Sequence, residues 1–74
     1  IGNFVHICPG ANLAGGVEVG EGTMIGIGAV IIQGIKIGKW AKIGAGAVIV
    51  NDIPDYAMVV GVPGKIIKYL KNEN

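Results

Sequence analysis

The sequence predicts an all-β fold: a parallel β-helix shaped as a triangular prism, with three 18-residue coils, a short C-terminal partial coil and a tail. Three observations predict it. Stepping by six from Ile1 gives Ile7, Leu13, Val19, Ile25, Ile31, Ile37, Ile43 and Ile49, aliphatic at every stop. Four residues after each stop comes Val5, Ala11, Val17, Thr23, Ala29, Ile35, Ala41, Ala47 and Ile53, small or β-branched in every case. The phrase IGIGAV at 25–30 returns as IGAGAV at 43–48, eighteen residues on.

A period of six does not fit a helix of 3.6 residues per turn, and 14 glycines would each cost about 1 kcal/mol in helix interiors. It suits short strands joined by tight bends. Three hexads close one coil, and successive coils stack at the strand spacing of about 4.8 Å. Nine unbroken hexads are expected over residues 1–54, with residues 55–74 as a closing segment and tail. The columns of aliphatics point into the prism. Glycines mark bends, where a positive φ or a close backbone approach is required. One side should present Asn3, Glu21, Lys39, His6, Met24 and Lys42, mostly polar. The next should present Pro9, Ile27, Ala45, Asn12, Val30 and Val48, which is apolar in two coils and a candidate interface. The VVGVP stretch at 59–63 should add a partial coil. Beyond it, Ile66, Ile67 and Leu70 interleave with Lys65, Lys68 and Lys71 as in a short amphipathic helix or tail, and KNEN should fray.

Composition removes several function classes. A formal charge of +1 gives no field for nucleic acid. One cysteine, Cys8, allows no intrachain disulfide, and with one histidine, His6, the chain has no metal-binding cluster. There is no serine nucleophile, because there is no serine. The uncharged run 24–35 is too short for a membrane span of roughly 20 residues. No basic-then-apolar leader is visible, so a cytoplasmic location is expected. The GxG pairs at 26/28 and 44/46 lack the third glycine of a dinucleotide fingerprint. GVPGK at 61–65 is followed by Ile66 where a phosphate loop has Ser or Thr.

The hexads resemble the hexapeptide-repeat acyltransferases, which fold as left-handed parallel β-helices. Three segments, FVHICPGANLAGGVEVGEG, IGIGAVIIQGIKIG and IPDYAMVVGVPGKIIK, are similar to the sialic-acid O-acetyltransferase and UDP-amino-sugar N-acetyltransferase group of bacterial glycan synthesis. The likeness implies the C-terminal part of a homotrimeric acetyltransferase, with acetyl-CoA bound between subunits and a sugar amine or hydroxyl as acceptor. It also implies a Rossmann-type nucleotide-sugar domain ahead of the repeat, and a general-base His a few residues before the position matching Ile1. By that reading the fragment alone is nearly inactive and no catalytic residue is assigned within it. Gly64 departs from the Ala usual in the group.

Acetyl transfer needs a base for the nucleophile, donors for the oxyanion and a groove for the donor. His6 is the one neutral-pH base, and it follows inward Val5, so it should project outward. The resemblance implies that His6 contacts the acetyl group, that Gly15 offers its N–H to the thioester carbonyl, and that backbone groups of Ile27 and Ala45 hold the pantetheine arm. Lys65 is then a partner for a CoA phosphate. Cys8 reads as a small packing residue. The competing function is a non-catalytic β-helix scaffold. An ice-binding face would need outward Thr, and the only Thr, Thr23, falls on an inward column. A zinc carbonic anhydrase on this fold would need three His.

Overall fold

The computed structural model describes residues 2–70. Each regular hexad forms a two-residue strand, one residue outward and one aliphatic inward. They are β1 His6–Ile7, β2 Asn12–Leu13, β3 Glu18–Val19, β4 Met24–Ile25, β5 Val30–Ile31, β6 Lys36–Ile37, β7 Lys42–Ile43 and β8 Val48–Ile49. Two longer strands follow, β9 Ala57–Val60 and β10 Lys65–Tyr69. Among the described residues there is no helix.

Strands pair with those one coil away, giving three faces. The first face is β1-β4-β7-β9-β10, the second β2-β5-β8 and the third β3-β6. The register is that of the period: His6 lies beside Met24 and Met24 beside Lys42, while Asn12, Val30 and Val48 align on the second face. The first corner, carrying Pro9, Ile27 and Ala45, joins the first face to the second. The second corner carries Gly15 and Gln33, and the third carries Asn3, Glu21 and Lys39.

The inward columns form the core. Ile25, Ala29, Ile31, Ala41, Ala47, Ile49, Ala57 and Val59 are buried, and each large aliphatic among them contributes about 1.5–3 kcal/mol. Covered on one side only, the first coil leaves Val5, Ala11, Leu13 and Val17 half-buried. Among the described residues Thr23 is the one buried polar side chain, and its hydroxyl both donates and accepts. It donates to the Gly38 carbonyl at 2.6 Å and accepts from the Ala41 N–H at 3.2 Å, bracing the turn between them.

The two glycines of IGIGAV do different work. Gly28 sits at φ +70°, the second position of its bend, where a side chain is disfavoured. Gly26 has no such φ, but a Cβ there would stand 2.6 Å from the Ala45 nitrogen and 2.7 Å from the Ile43 carbonyl oxygen, so the next coil could not approach. The third corner solves the bend otherwise. Phe4, Trp40 and Tyr56 hold positive φ there, and the Trp40 ring lies directly on the Cα of Gly22.

Two expectations fail at the C-terminal end. The ninth hexad is not regular: Lys42 pairs with Met58, Ile43 with Val59 and Ile37 with Ile53, a spacing of sixteen residues where earlier coils use eighteen. Ile53 therefore stacks on Ile37 in the strand column, whereas the period places it over Ile35. Two aspartates repair the ladder. The Lys36 N–H donates to Asp52 Oδ1 at 2.9 Å and the Lys39 N–H to Asp55 Oδ1 at 2.8 Å. The expected amphipathic helix or tail is also corrected. Residues 65–69 form β10, antiparallel to β9, with a bulge between Ile66 and Lys68. The expected frayed KNEN lies outside the described residues.

The turn at 61–64, with a cis Val62–Pro63 bond, closes this end. Gly64 donates to the Val48 carbonyl at 2.7 Å, and Val48 donates to the Gly61 carbonyl at 3.1 Å. A Cβ on Gly64 would stand 2.7 Å from Ile49 Cδ1 and 2.9 Å from Val59 Cγ1. Glycine at 64 thus lets the cap press on the core.

Candidate functional site

The first corner is built from bends whose leading residues are Pro9, Ile27 and Ala45, one per coil. The trailing glycine of each bend ties it to the coil before. Gly28 donates to the Pro9 carbonyl at 3.2 Å and Gly46 to the Ile27 carbonyl at 2.8 Å. The N–H groups of Ile27 and Ala45 donate to no acceptor among the described residues, and both residues are exposed. Two N–H donors therefore stand in a row along the prism edge, one coil or about 4.8 Å apart. Solvated donors in such a row match an extended chain of amide carbonyls lying parallel to the prism axis.

His6 is exposed on the first face, in the coil below Ile27, and its outward direction is the one its place after Val5 predicts. Its row continues through Met24, Lys42 and Met58 to Lys68 on β10. Lys65 pairs with Val60 at the end of β9 nearest the first corner, which extends the line of Ile27 and Ala45 toward the cap. From the His6 strand to β10 is four strand steps, about 19 Å. Four of the five candidates, His6, Ile27, Ala45 and Lys65, thus border one edge.

Gly15 is not among them. It lies at the second corner, across the width of the second face, where its carbonyl accepts from Gly34 at 3.0 Å. Its N–H has no backbone acceptor among the described residues, and a Cβ there would meet nothing within 4 Å. The site is open to a ligand on that side, yet one chain does not bring Gly15 to the Ile27–Ala45 edge.

Between these two corners the second face presents Asn12, Val30 and Val48, apolar in two of its three coils. Val30 on its surface and Ile27, Ile32 and Val50 at its margins are exposed. The third face and corner carry the carboxylates Glu18, Glu21, Asp52 and Asp55. No trio of His, Cys, Asp or Glu is arranged to hold a metal ion among the described residues. No helix there is long and apolar enough to cross a membrane.

With this geometry in hand, relatives can be compared. The bacterial transferase hexapeptide family (six repeats) matches residues 16–51. The chain carries the hexapeptide repeat of these transferases. Its fold is the family's left-handed parallel β-helix, with coils of eighteen, eighteen and sixteen residues. The acetyltransferase domain of PglB from Neisseria gonorrhoeae, solved also in complex with acetyl coenzyme A, is 49% identical, with a TM-score of 0.84 over 85% of this chain and 31% of that one. PerB from Caulobacter crescentus, solved with CoA and GDP-perosamine, is 48% identical, with a TM-score of 0.84 over 85% of this chain and 30% of its own. A serine acetyltransferase of Buchnera aphidicola is 45% identical over 70 residues, 95% of this chain. The chain spans 20% of that curated relative's length. Hexapeptide-repeat relatives of this chain are acetyltransferases that bind acetyl-CoA or CoA and, in one case, a nucleotide-linked sugar.

Proposed function

We propose that this chain is the acetyl-CoA-binding and trimerisation part of an acetyltransferase that moves an acetyl group to an amine or hydroxyl of a sugar. The observation that carries the reading is the pair of unpartnered N–H groups at Ile27 and Ala45. They form a straight edge suited to the amide carbonyls of pantetheine, on a chain 49% identical to a domain solved with acetyl-CoA. His6 meets the acetyl end, and Lys65 meets a phosphate of the nucleotide end.

The position of Gly15 supports assembly. Three copies packed by their apolar second faces around a threefold axis bring the second corner of one copy to the first corner of the next. The Gly15 N–H then faces the thioester carbonyl of a donor held along a neighbour's Ile27 and Ala45, where it serves the developing oxyanion. Each site is complete only between copies. A small core gains from such burial.

The relatives divide on the acceptor, one bound to a nucleotide-linked amino sugar and another named for serine. Identity does not separate the two, since PerB and a solved serine acetyltransferase are each 48% identical; the sugar reading rests on the VHI to LAGGV segment. Titration calorimetry of the chain with acetyl-CoA, paired with sedimentation equilibrium, tests the core of the proposal. One donor per chain bound by a trimer is expected. A monomer that binds no acetyl-CoA overturns the reading. In the whole enzyme, transfer to GDP-perosamine in preference to serine is expected, and the reverse preference moves the acceptor to the amino acid.

A further inference from the structure

The three bends of the first corner are the same turn. The N–H groups of Ala11, Ala29 and Ala47 donate to the Cys8, Gly26 and Gly44 carbonyls at 3.3, 3.2 and 3.2 Å. Gly10, Gly28 and Gly46, third in each turn, hold φ of +78°, +70° and +72°. A positive φ at the third place alone marks a type II turn, whose second place suits proline. Pro9, Ile27 and Ala45 occupy that second place, and all three are exposed. Ile27 and Ala45 present N–H groups without an acceptor among the described residues, whereas Pro9 has no N–H to present. The donor row therefore stops at the first coil, which also carries His6 and Gly15.

The arm of acetyl-CoA has a matching pattern. Its two amide carbonyl carbons are four bonds apart, about 5 Å when extended. That is close to the coil spacing of about 4.8 Å. The thioester carbonyl carbon follows five bonds later, about 6 Å further on. In an extended chain, groups an even number of bonds apart face the same side and groups an odd number apart face opposite sides. With the amide carbonyls on the N–H groups of Ala45 and Ile27, the thioester carbonyl falls at Pro9 and faces away from the edge. Pro9 and Gly15 share a coil, so copies arranged about an axis parallel to the prism hold them at one level. Resting on the acetyl-CoA reading above, we infer that Pro9 is a positioning residue: by withholding an N–H it leaves the thioester carbonyl unheld by its own chain and turned toward the Gly15 N–H of a neighbouring copy. An N–H at position 9 would draw the carbonyl back to the edge. It would stabilise the resting thioester and not the transition state.

The test is calorimetry on the full chain with acetyl-CoA and with CoA, which has the same arm and no thioester carbonyl. Pro9→Ala restores an N–H in a turn that already accepts alanine at Ala45. It should tighten acetyl-CoA about threefold and leave CoA unchanged. Loss of turn stiffness alone would move both ligands together. In the wild-type chain, the acetyl methyl protons should also show nuclear Overhauser contacts to the Pro9 and His6 rings, a measurement that needs no variant to fold. Equal changes for the two ligands in Pro9→Ala, no change for either, or an acetyl group without contact to the Pro9 ring overturns this inference and leaves the acetyl-CoA reading standing. A wild-type chain that binds neither ligand overturns both.

Discussion

The first and third corners pass through the same coil of the same prism and treat their bends in opposite ways. In that coil, Lys39 leads the third-corner bend and Ala45 the first-corner bend. The Lys39 N–H is taken by Asp55 Oδ1, Trp40 follows at positive φ with its ring on Gly22, and Thr23 braces the turn from inside. The Ala45 N–H has no partner among the described residues, glycine follows it, and glycine also lies beneath it. One bend is closed by side chains and the other is stripped of them. The same backbone donor is thus taken by a side chain at Lys39 and left open at Ala45.

The largest effect should come from adding a methyl group to the stripped corner. Gly26→Ala places a Cβ 2.6 Å from the Ala45 nitrogen, against backbone that cannot move aside. We expect a loss of about 3 kcal/mol in urea unfolding. A loss below half that would mean the coils tolerate wider spacing than the comparison assumes.

Unbracing the closed corner comes next. Thr23→Val keeps the volume and leaves the Gly38 carbonyl and the Ala41 N–H unpaired in the core. The expected cost is about 2 kcal/mol by the same measurement. If Thr23→Val is neutral, the hydroxyl does not hold the turn.

Smaller still, Asp55→Ala should cost about 1 kcal/mol by freeing the Lys39 N–H at the surface. Asp55→Asn keeps an oxygen acceptor and should recover most of the loss. Amide exchange at Lys39 reads the bond directly, with protection lost in the alanine variant and retained in the asparagine one. Equal protection in both would show that Asp55 does not close this bend.

Much of this contrast was legible in the sequence, and the parts that were not have physical causes. The inward columns follow from a strict period of six, because every stop must bury its side chain. The outward direction of His6 and the alignment of Ile27 with Ala45 follow from the same phase. The shortened ninth hexad escaped because Ile53 suits two columns: it lies four residues after Ile49, yet it stacks on Ile37. The aspartates carried the missing signal, since Asp52 and Asp55 fall sixteen residues after Lys36 and Lys39, whose N–H groups they accept. The closing strand was misread for a related reason. Its bulge spaces Lys65 and Lys68 three residues apart on one side, a helical interval written by a strand. The separation of Gly15 from the Ile27–Ala45 edge was implicit in the hexad phase, but its meaning needed the apolar second face between them.

The central claim is that the Ile27 and Ala45 N–H groups hold the donor's arm, and the molecule supplies its own control. Pro9 leads the first-corner bend two coils below Ala45, so a bend at this corner accepts a residue with no N–H. Ala45→Pro removes one donor without changing the turn. Calorimetry should find acetyl-CoA bound about tenfold more weakly, with the unfolding free energy within about 0.5 kcal/mol of wild type. Unchanged acetyl-CoA affinity in a folded Ala45→Pro variant would contradict the account.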